Sequence, residues 1–183
     1  QILEKIGGNI MLRNISRYFF LLSTIIFVIS CAPTMNITPQ YAKIENISPV
    51  VNGKIDYDGN EEYLPRTISN DSSKNPLLII KYQYHVDYGN SNIHFANLYN
   101  PLLFVGFPIG KDTLIVAGKI DIIKKNEVIK SYSAVSAFEK TRNIFYHGPT
   151  FSEVRKTGLL NVRDNIEAQM YNDREFLLKI KMQ

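Results

Sequence analysis

The chain contains a single cysteine, Cys31, and no tryptophan among its 183 residues. One thiol cannot form a disulfide within the chain, so a buried core, and not cross-links, must stabilise the fold. Apolar residues make up 45% of the sequence. A chain of this size can bury one adequate core, and we therefore expect one domain.

Neither sign of charge is in large excess. There are 21 basic and 17 acidic residues, which gives a net charge of +4. No run of basic residues is longer than a pair such as Lys124-Lys125. A nucleic-acid-binding domain usually concentrates basic residues on one surface, so no nucleic acid partner is expected.

Motifs that carry catalytic chemistry are missing as well. The sequence has no Gly-x-Ser-x-Gly nucleophile motif. The segment Gly106-Phe-Pro-Ile-Gly110 places proline and isoleucine where a phosphate-binding loop needs flexible glycines. The adjacent acids Glu61-Glu62 lie in a polar stretch, where carboxylates are usually solvated. We therefore expect neither an enzyme nor a metal or other cofactor.

The histidines offer one weak candidate site. His85 and Asp87 fall on one side of a predicted strand, and this pair could support a metal ion or a general base. Two ligands do not make a site, and an exposed histidine at a strand end is the preferred interpretation. His94 and His147 match no dedicated motif either.

The longest apolar run is Tyr18–Ser30, which Arg13 and Arg17 precede. The run is 13 residues long, short of the roughly 20 apolar residues needed to span a hydrocarbon core. A secretory signal peptide consists of a basic segment, an apolar segment and a small residue before the cleavage site. The sequence therefore predicts an export signal over residues 11–30.

The end of this run, Val28-Ile29-Ser30-Cys31, resembles the lipobox of bacterial lipoproteins. The resemblance implies cleavage between Ser30 and Cys31. It also implies that Cys31 becomes the mature N-terminus and carries a covalent diacylglycerol group and an amide-linked acyl chain. The chain would then be attached to membrane lipid in the cell envelope. Ala32, which stands where aspartate would indicate the inner membrane, favours the outer membrane.

These features divide the sequence into segments. Met11 begins the signal peptide, so residues 1–10 are predicted to be an upstream translation artefact. Residues 31–41 are predicted to form a tether, and 42–183 a single envelope domain with a mobile loop near 56–75.

Alternating apolar residues predict the main strands. Leu77–Val86 begins apolar and then alternates, with Ile80, Tyr82, Tyr84 and Val86 on one face. Thr113–Ile123 and Glu127–Phe138 form a predicted hairpin around a turn at Lys124–Asn126. Gly118 lies on the apolar face of this hairpin, where it leaves room for a close neighbour such as a helix.

Shorter strands are predicted at both ends of the domain. Tyr41–Glu45 and Lys54–Tyr57 are interpreted as edge strands around a turn at Asn52-Gly53. Phe176–Lys181 fits a last strand or a helical continuation, and the strand is preferred.

A helix is predicted after Thr150, which forms a capping box with Glu153. Apolar residues recur at helical spacing along one stripe: Phe151, Val154, Gly158, Leu159, Val162, Ile166 and Met170. Arg163 and Glu167 are predicted to face solvent as a pair one turn apart. Asn172-Asp173 can end the helix.

Together these elements predict an α+β fold in which an antiparallel sheet of about four to six strands is packed by one C-terminal amphipathic helix. The order of strand, hairpin and late helix is loosely similar to small envelope-lipoprotein domains of the TolB amino-terminal kind.

Two surfaces are candidate interfaces. The apolar segment Pro101–Ile109 contains Phe104 and Phe107 and is either buried beneath the helix or exposed to contact a bilayer or a protein. The second is the charged helix face formed by Arg155, Lys156, Arg163 and Glu167.

The predicted function is a membrane-anchored, non-catalytic accessory or interaction subunit of a cell-envelope assembly, with an envelope protein as partner. The alternative is a lipoprotein that binds a small molecule or lipid between the sheet and the helix.

Overall fold

A computed structural model of the chain describes residues 33–71, 78–90, 110–142 and 148–182, together with Tyr18. These ranges contain six strands, a short 3-10 helix and two α-helices. The strands are β1 (Thr34–Thr38), β2 (Val51–Asp56), β3 (Ile68–Asn70), β4 (Leu78–Asn90), β5 (Gly110–Lys124) and β6 (Glu127–Arg142). The helices are η1 (Glu61–Tyr63), α1 (Phe151–Asn172) and α2 (Arg174–Met182). The predicted α+β class is confirmed.

The strands form one six-stranded sheet in the order β1-β6-β5-β4-β2-β3. Strands β4 and β5 pair antiparallel from Leu78 opposite Lys124 to Asn90 opposite Asp112. Strand β2, however, runs parallel to both β3 and β4. The sheet is therefore mixed, and the expectation of a wholly antiparallel sheet is wrong. Strand alternation alone carries no information on strand direction.

The chain falls into two compact units. One comprises residues 1–33, 91–111 and 140–148, and most of its residues lie outside the described ranges. The other comprises residues 34–90, 112–139 and 149–183. This second unit contains the hydrophobic core between the sheet and helix α1.

The hairpin of β5 and β6 is confirmed. Lys125 and Asn126 both have positive φ angles, 52° and 66°, as a two-residue turn of type I′ requires. Asparagine tolerates this conformation better than most residues. Alternate residues of β5, among them Val116, Ile120 and Ile122, are fully buried.

Helix α1 begins as predicted. The Thr150 hydroxyl accepts a hydrogen bond from the Glu153 backbone, and the Glu153 carboxylate accepts one from the Thr150 backbone. The apolar stripe packs on the sheet, with Val162, Ile166 and Met170 completely buried.

The role predicted for Gly118 is also confirmed. A Cβ atom at Gly118 would lie 2.5 Å from Val162 Cγ1, and one at Gly158 would lie 2.9 Å from Val116 Cγ2. Two glycines thus let helix α1 approach the sheet closely.

The N-terminal part of the domain differs from the sequence predictions. Residues 34–38, assigned to the tether, form β1 and pair with β6. Asn52 and Gly53, expected in a turn, lie inside β2, where a Cβ at Gly53 would be 2.7 Å from the Leu78 carbonyl oxygen. Residues 41–45, expected as a strand, form none. Gly53 is therefore explained by the close approach of a neighbouring backbone and not by a turn.

The predicted loop near 56–75 contains η1 and β3 in its described part, residues 56–71. Thr67 is fully buried and Ile68 is 6% exposed. The Thr67 carbonyl accepts hydrogen bonds from the backbones of Val50 and Val51. The interpretation of residues 56–71 as a loop is therefore wrong, because they contain a strand and buried side chains.

The predicted last strand is wrong too, because Phe176–Lys181 belongs to α2. Leu177 and Ile180, three residues apart, are both buried, which is the spacing of a helix face. Within the described residues, no helix combines the length and apolar character needed to cross a bilayer.

Candidate functional site

The charged face of α1 is the first candidate surface, and part of it is covered. Glu167, predicted to face solvent, has no exposed surface. Its carboxylate accepts three hydrogen bonds from Arg66: one from the backbone N–H at 2.6 Å, one from Nε at 3.0 Å and one from Nη2 at 2.7 Å. The prediction for Glu167 is therefore wrong. This carboxylate fixes the segment before β3 against the helix.

Arg163 lies in the same network, with 15% of its side chain exposed. It donates to the Glu62 carbonyl oxygen at 2.7 Å and forms an ion pair with Asp164 at 2.6 Å. Its nearest approach to Glu167 is 3.9 Å. Arg163 thus holds η1 against the helix and is not a free surface cation.

Asp164 links this network to the chain between β1 and β2. Lys43 Nζ lies 2.8 Å from its carboxylate. Burial opposes ionisation of Asp164, but hydrogen bonds from Lys43 and Arg163 outweigh it and hold its pKa below the usual value of 3.8. In the same network, the hydrogen bond from Arg66 to Glu167 raises the pKa of Arg66. Asp164 and Arg66 therefore stay charged near neutral pH.

Acid should weaken this network. A carboxyl group whose pKa is lowered by folding stabilises the native state above its unfolded pKa, and this contribution is lost as the pH falls through the folded value. We expect Asp164→Asn to be less stable than the wild type at pH 7, with the difference shrinking below about pH 3.8. Melting temperatures measured from pH 7 to 3 test this. The matched control is Asp58→Asn, at an exposed residue, where a surface substitution should change the melting temperature little at pH 7. A difference for Asp164→Asn that stays constant from pH 7 to 3 would contradict the expectation.

The remaining part of the helix face is exposed. Lys156 forms an ion pair with Glu62 at 2.9 Å, but 55% of its side chain remains exposed. Arg155 is exposed beside it. Of the four predicted interface residues on α1, these two are accessible to a partner.

A cluster of four tyrosines lies where β2 ends beside β4. The Tyr57 and Tyr82 rings are 5.2 Å apart, and Tyr63 and Tyr84 stack edge to face at 6.4 Å. Burial, with the neighbouring Tyr84 and Tyr63, raises the pKa of Tyr57 to about 12. The Tyr57 hydroxyl is therefore a poor candidate for acid–base chemistry near pH 7.

Three residues of this cluster, Tyr57, Tyr82 and Tyr84, line an open depression of about 440 Å³. Asp56 and Asp58 line it from the β2 side, and residues 81–84 line it from β4. Inside the core, the Tyr82 hydroxyl has no hydrogen-bond partner within the described residues.

The predicted His85 and Asp87 pair lies on β4, and both side chains are exposed. They alternate with the buried-side residues Tyr84 and Val86, so they point away from α1. In the described ranges, no group of three or more His, Cys, Asp or Glu residues could hold a metal ion. The pair therefore lacks a third candidate ligand there.

Four predicted site residues lie outside the described residues, and the predictions made for them stay predictions: Ser30, Cys31, Phe104 and Phe107. His94 and His147, for which no site was predicted, also lie outside them. Sequence reasoning missed Arg66, whose partner Glu167 is 101 residues away. No local pattern marks such a pair. It also missed the tyrosine cluster, although the alternation of Tyr82 and Tyr84 had placed both on one face of β4.

Known proteins give no independent indication of function. Comparisons of the chain with protein-family models, with curated proteins and with solved structures each found no match.

Proposed function

We propose that the chain is a lipid-anchored protein of the bacterial cell envelope that serves as a non-catalytic interaction subunit of an envelope assembly. The motif Val28-Ile29-Ser30-Cys31 supports the anchor. A diacylglycerol group and an amide-linked acyl chain on Cys31 provide more than one hydrocarbon chain, and two or more chains make a stable anchor. Ala32 favours the outer membrane as the location.

The observation that carries this proposal is the position of β1. This strand begins at Thr34, three residues after Cys31. Three extended residues span at most about 10 Å. The anchor would therefore hold the sheet against the membrane surface. A protein fixed in this way is suited to act locally on membrane-associated partners.

The packing of the second unit favours interaction over ligand binding between the sheet and the helix. Gly118 and Gly158 bring the two layers into direct contact, which leaves no space for a ligand at these points. Arg155 and Lys156 offer an exposed basic surface on α1. Phe104 and Phe107 remain proposed contact residues.

The anchor can be tested by metabolic labelling with an alkyne analogue of palmitate. We expect the wild-type chain to incorporate label and Cys31→Ser to incorporate none, because the thiol is the attachment point. Labelled chains should also fractionate with outer membranes.

Ser30→Ala is the matched control for this experiment. It keeps a small residue before the cut and should label as the wild type does. Equal labelling of Cys31→Ser and the wild type would overturn the proposed anchor, as would a wild-type chain without label.

A further inference from the structure

Strand β4 extends well beyond its neighbour β2. The two strands pair only from Lys54 opposite Ile79 to Asp56 opposite Lys81, whereas β4 continues to Asn90. In the part of the chain that the structure describes, no strand pairs with Tyr82–Asn90 on this side. The backbone groups of such an edge are a template for another strand.

The sequence of this edge lacks two of the features that usually prevent pairing. Protein edges are protected by lysine, proline or short length, and Tyr82–Asn90 contains neither lysine nor proline. Strand β6 also extends past its partner β1. There, however, Lys130 forms an ion pair with Asp173, and the Ser133 carbonyl accepts a hydrogen bond from Gln169. The edge of β4 is the better template.

We propose that this edge pairs antiparallel with the same edge of a second copy of the chain, around a two-fold axis at Val86. The two six-stranded sheets then form one continuous sheet. Self-pairing of this kind is isologous, because each copy contributes the same surface. The inference does not depend on lipidation of Cys31.

The register follows from the length of the free edge. Strand β2 occupies the edge as far as Lys81, so pairing is confined to Tyr82–Asn90, and Val86 is the central residue of that stretch. An axis at Val86 gives every residue of the stretch a partner. An axis at His85 would place Gly89 opposite Lys81, where β2 already lies, and would set the two imidazoles against each other.

Side chains on the outward face complement each other in this register. His85 and Asp87 are exposed and form no hydrogen bond or ion pair within the described residues. Pairing around Val86 places His85 opposite the partner's Asp87, and the arrangement occurs twice. An imidazole N–H can then donate to a carboxylate.

The face that carries α1 is complementary as well. Tyr88 is 50% exposed, although it is a large aromatic residue. In the proposed register it lies opposite the partner's Tyr84, and Val86 lies opposite the partner's Val86. Aromatic and β-branched pairs directly across two strands stabilise a sheet.

The surroundings of the edge leave space for the added strand. The open depression of about 440 Å³ lies beside residues 81–84, with Asp56, Tyr57 and Asp58 along its far side. The end of the partner's β4 would enter here, because the partner's Asn90 is opposite Tyr82.

Cysteine cross-linking of the full chain tests the register. Directly opposite Cα atoms in an antiparallel pair are about 4.5–5.5 Å apart, within the range of a disulfide. Val86→Cys should therefore form a disulfide-linked dimer under mild oxidation, seen as a band at twice the chain mass on a non-reducing gel. The wild type, whose single cysteine is Cys31, measures the background.

His85→Cys is the matched control. In the proposed register the two residues 85 are diagonal neighbours, more than about 7 Å apart, so their cysteines cannot be bridged. A dimer from His85→Cys equal to that from Val86→Cys would overturn the register. Absence of a dimer from Val86→Cys, or a cross-linked product of another mass, would overturn self-pairing.

A charge exchange provides a second test that does not rely on Val86→Cys folding normally. Asp87→Lys places an ammonium group opposite the partner's His85, and we expect loss of the dimer in analytical ultracentrifugation of the detergent-solubilised chain. Adding His85→Asp restores an opposite-charge pair and should restore the dimer. If both variants sediment as the wild type does, the proposed contact is wrong.

Discussion

Replacing Arg66 by alanine is expected to lower the free energy of unfolding by about 2 kcal/mol, because a fully buried carboxylate would lose two charged hydrogen-bond donors, although the Arg66 side chain itself is 45% exposed. Glu167 has no exposed surface and would lose two of its three hydrogen bonds, those from Nε and Nη2 at 3.0 and 2.7 Å. Only the backbone N–H of residue 66 would remain as a donor. Urea denaturation of the wild type and the variant measures the difference.

Lys156→Ala is the matched control, because it removes a cation from the same helix. Its ion pair with Glu62 joins side chains that are 55% and 41% exposed. Exposed pairs of this kind contribute about 0–1 kcal/mol. The double variant Arg66→Met with Glu167→Leu should regain stability relative to Arg66→Ala, because apolar replacement removes the unpaired charge. Equal losses from Arg66→Ala and Lys156→Ala would contradict the role assigned to Glu167.

Gly118→Ala is expected to destabilise the second unit by about 1–3 kcal/mol through overpacking. The new methyl group would lie 2.5 Å from Val162 Cγ1 and 3.4 Å from the Tyr82 hydroxyl. Helix α1 would have to move away from the sheet, or Val162 would have to leave its preferred rotamer. Thermal or urea unfolding measures the loss.

Combining Gly118→Ala with Val162→Ala tests the cause. Val162→Ala alone leaves a cavity, which the methyl group at residue 118 would then partly fill. The double variant should therefore be more stable than the sum of the two single losses predicts. Gly158→Ala should destabilise the protein less than Gly118→Ala. Its methyl group would lie farther from its neighbour, at 2.9 Å from Val116 Cγ2, and alanine also gains up to about 1 kcal/mol of helix propensity. A larger loss of stability in Gly158→Ala than in Gly118→Ala would contradict the packing argument.

Features encoded by neighbouring residues were predictable. The capping box needs only Thr150 and Glu153, three residues apart. The hairpin needs a turn between two alternating runs, and the turn at Lys125–Asn126 lies where the pattern placed it. Gly118 was identified on an apolar face, and its close neighbour is Val162 of α1.

Features that depend on distant partners were not predictable. Arg163 and Glu167 have the spacing of a solvent-exposed helical pair, yet Arg66 lies over Glu167 and the Glu62 carbonyl lies over Arg163. The same spacing serves an exposed pair and a buried network. Residues 176–181 likewise fitted the residue spacing of both a strand and a helix. The structure shows a helix that buries Leu177 and Ile180.

The sequence alone determined the local elements, because hydrophobic period, capping and turn chemistry act between residues close in the chain. It also supplied the lipobox-like motif on which the proposed anchor rests. Tertiary structure decided strand direction, since β2 could lie parallel or antiparallel to β4 with the same alternation of side chains. It also decided that Glu167 is buried and that, among the described residues, no strand pairs with β4 beyond Lys81 on the β2 side. Both depend on which distant segment reaches each surface, and no local pattern specifies that.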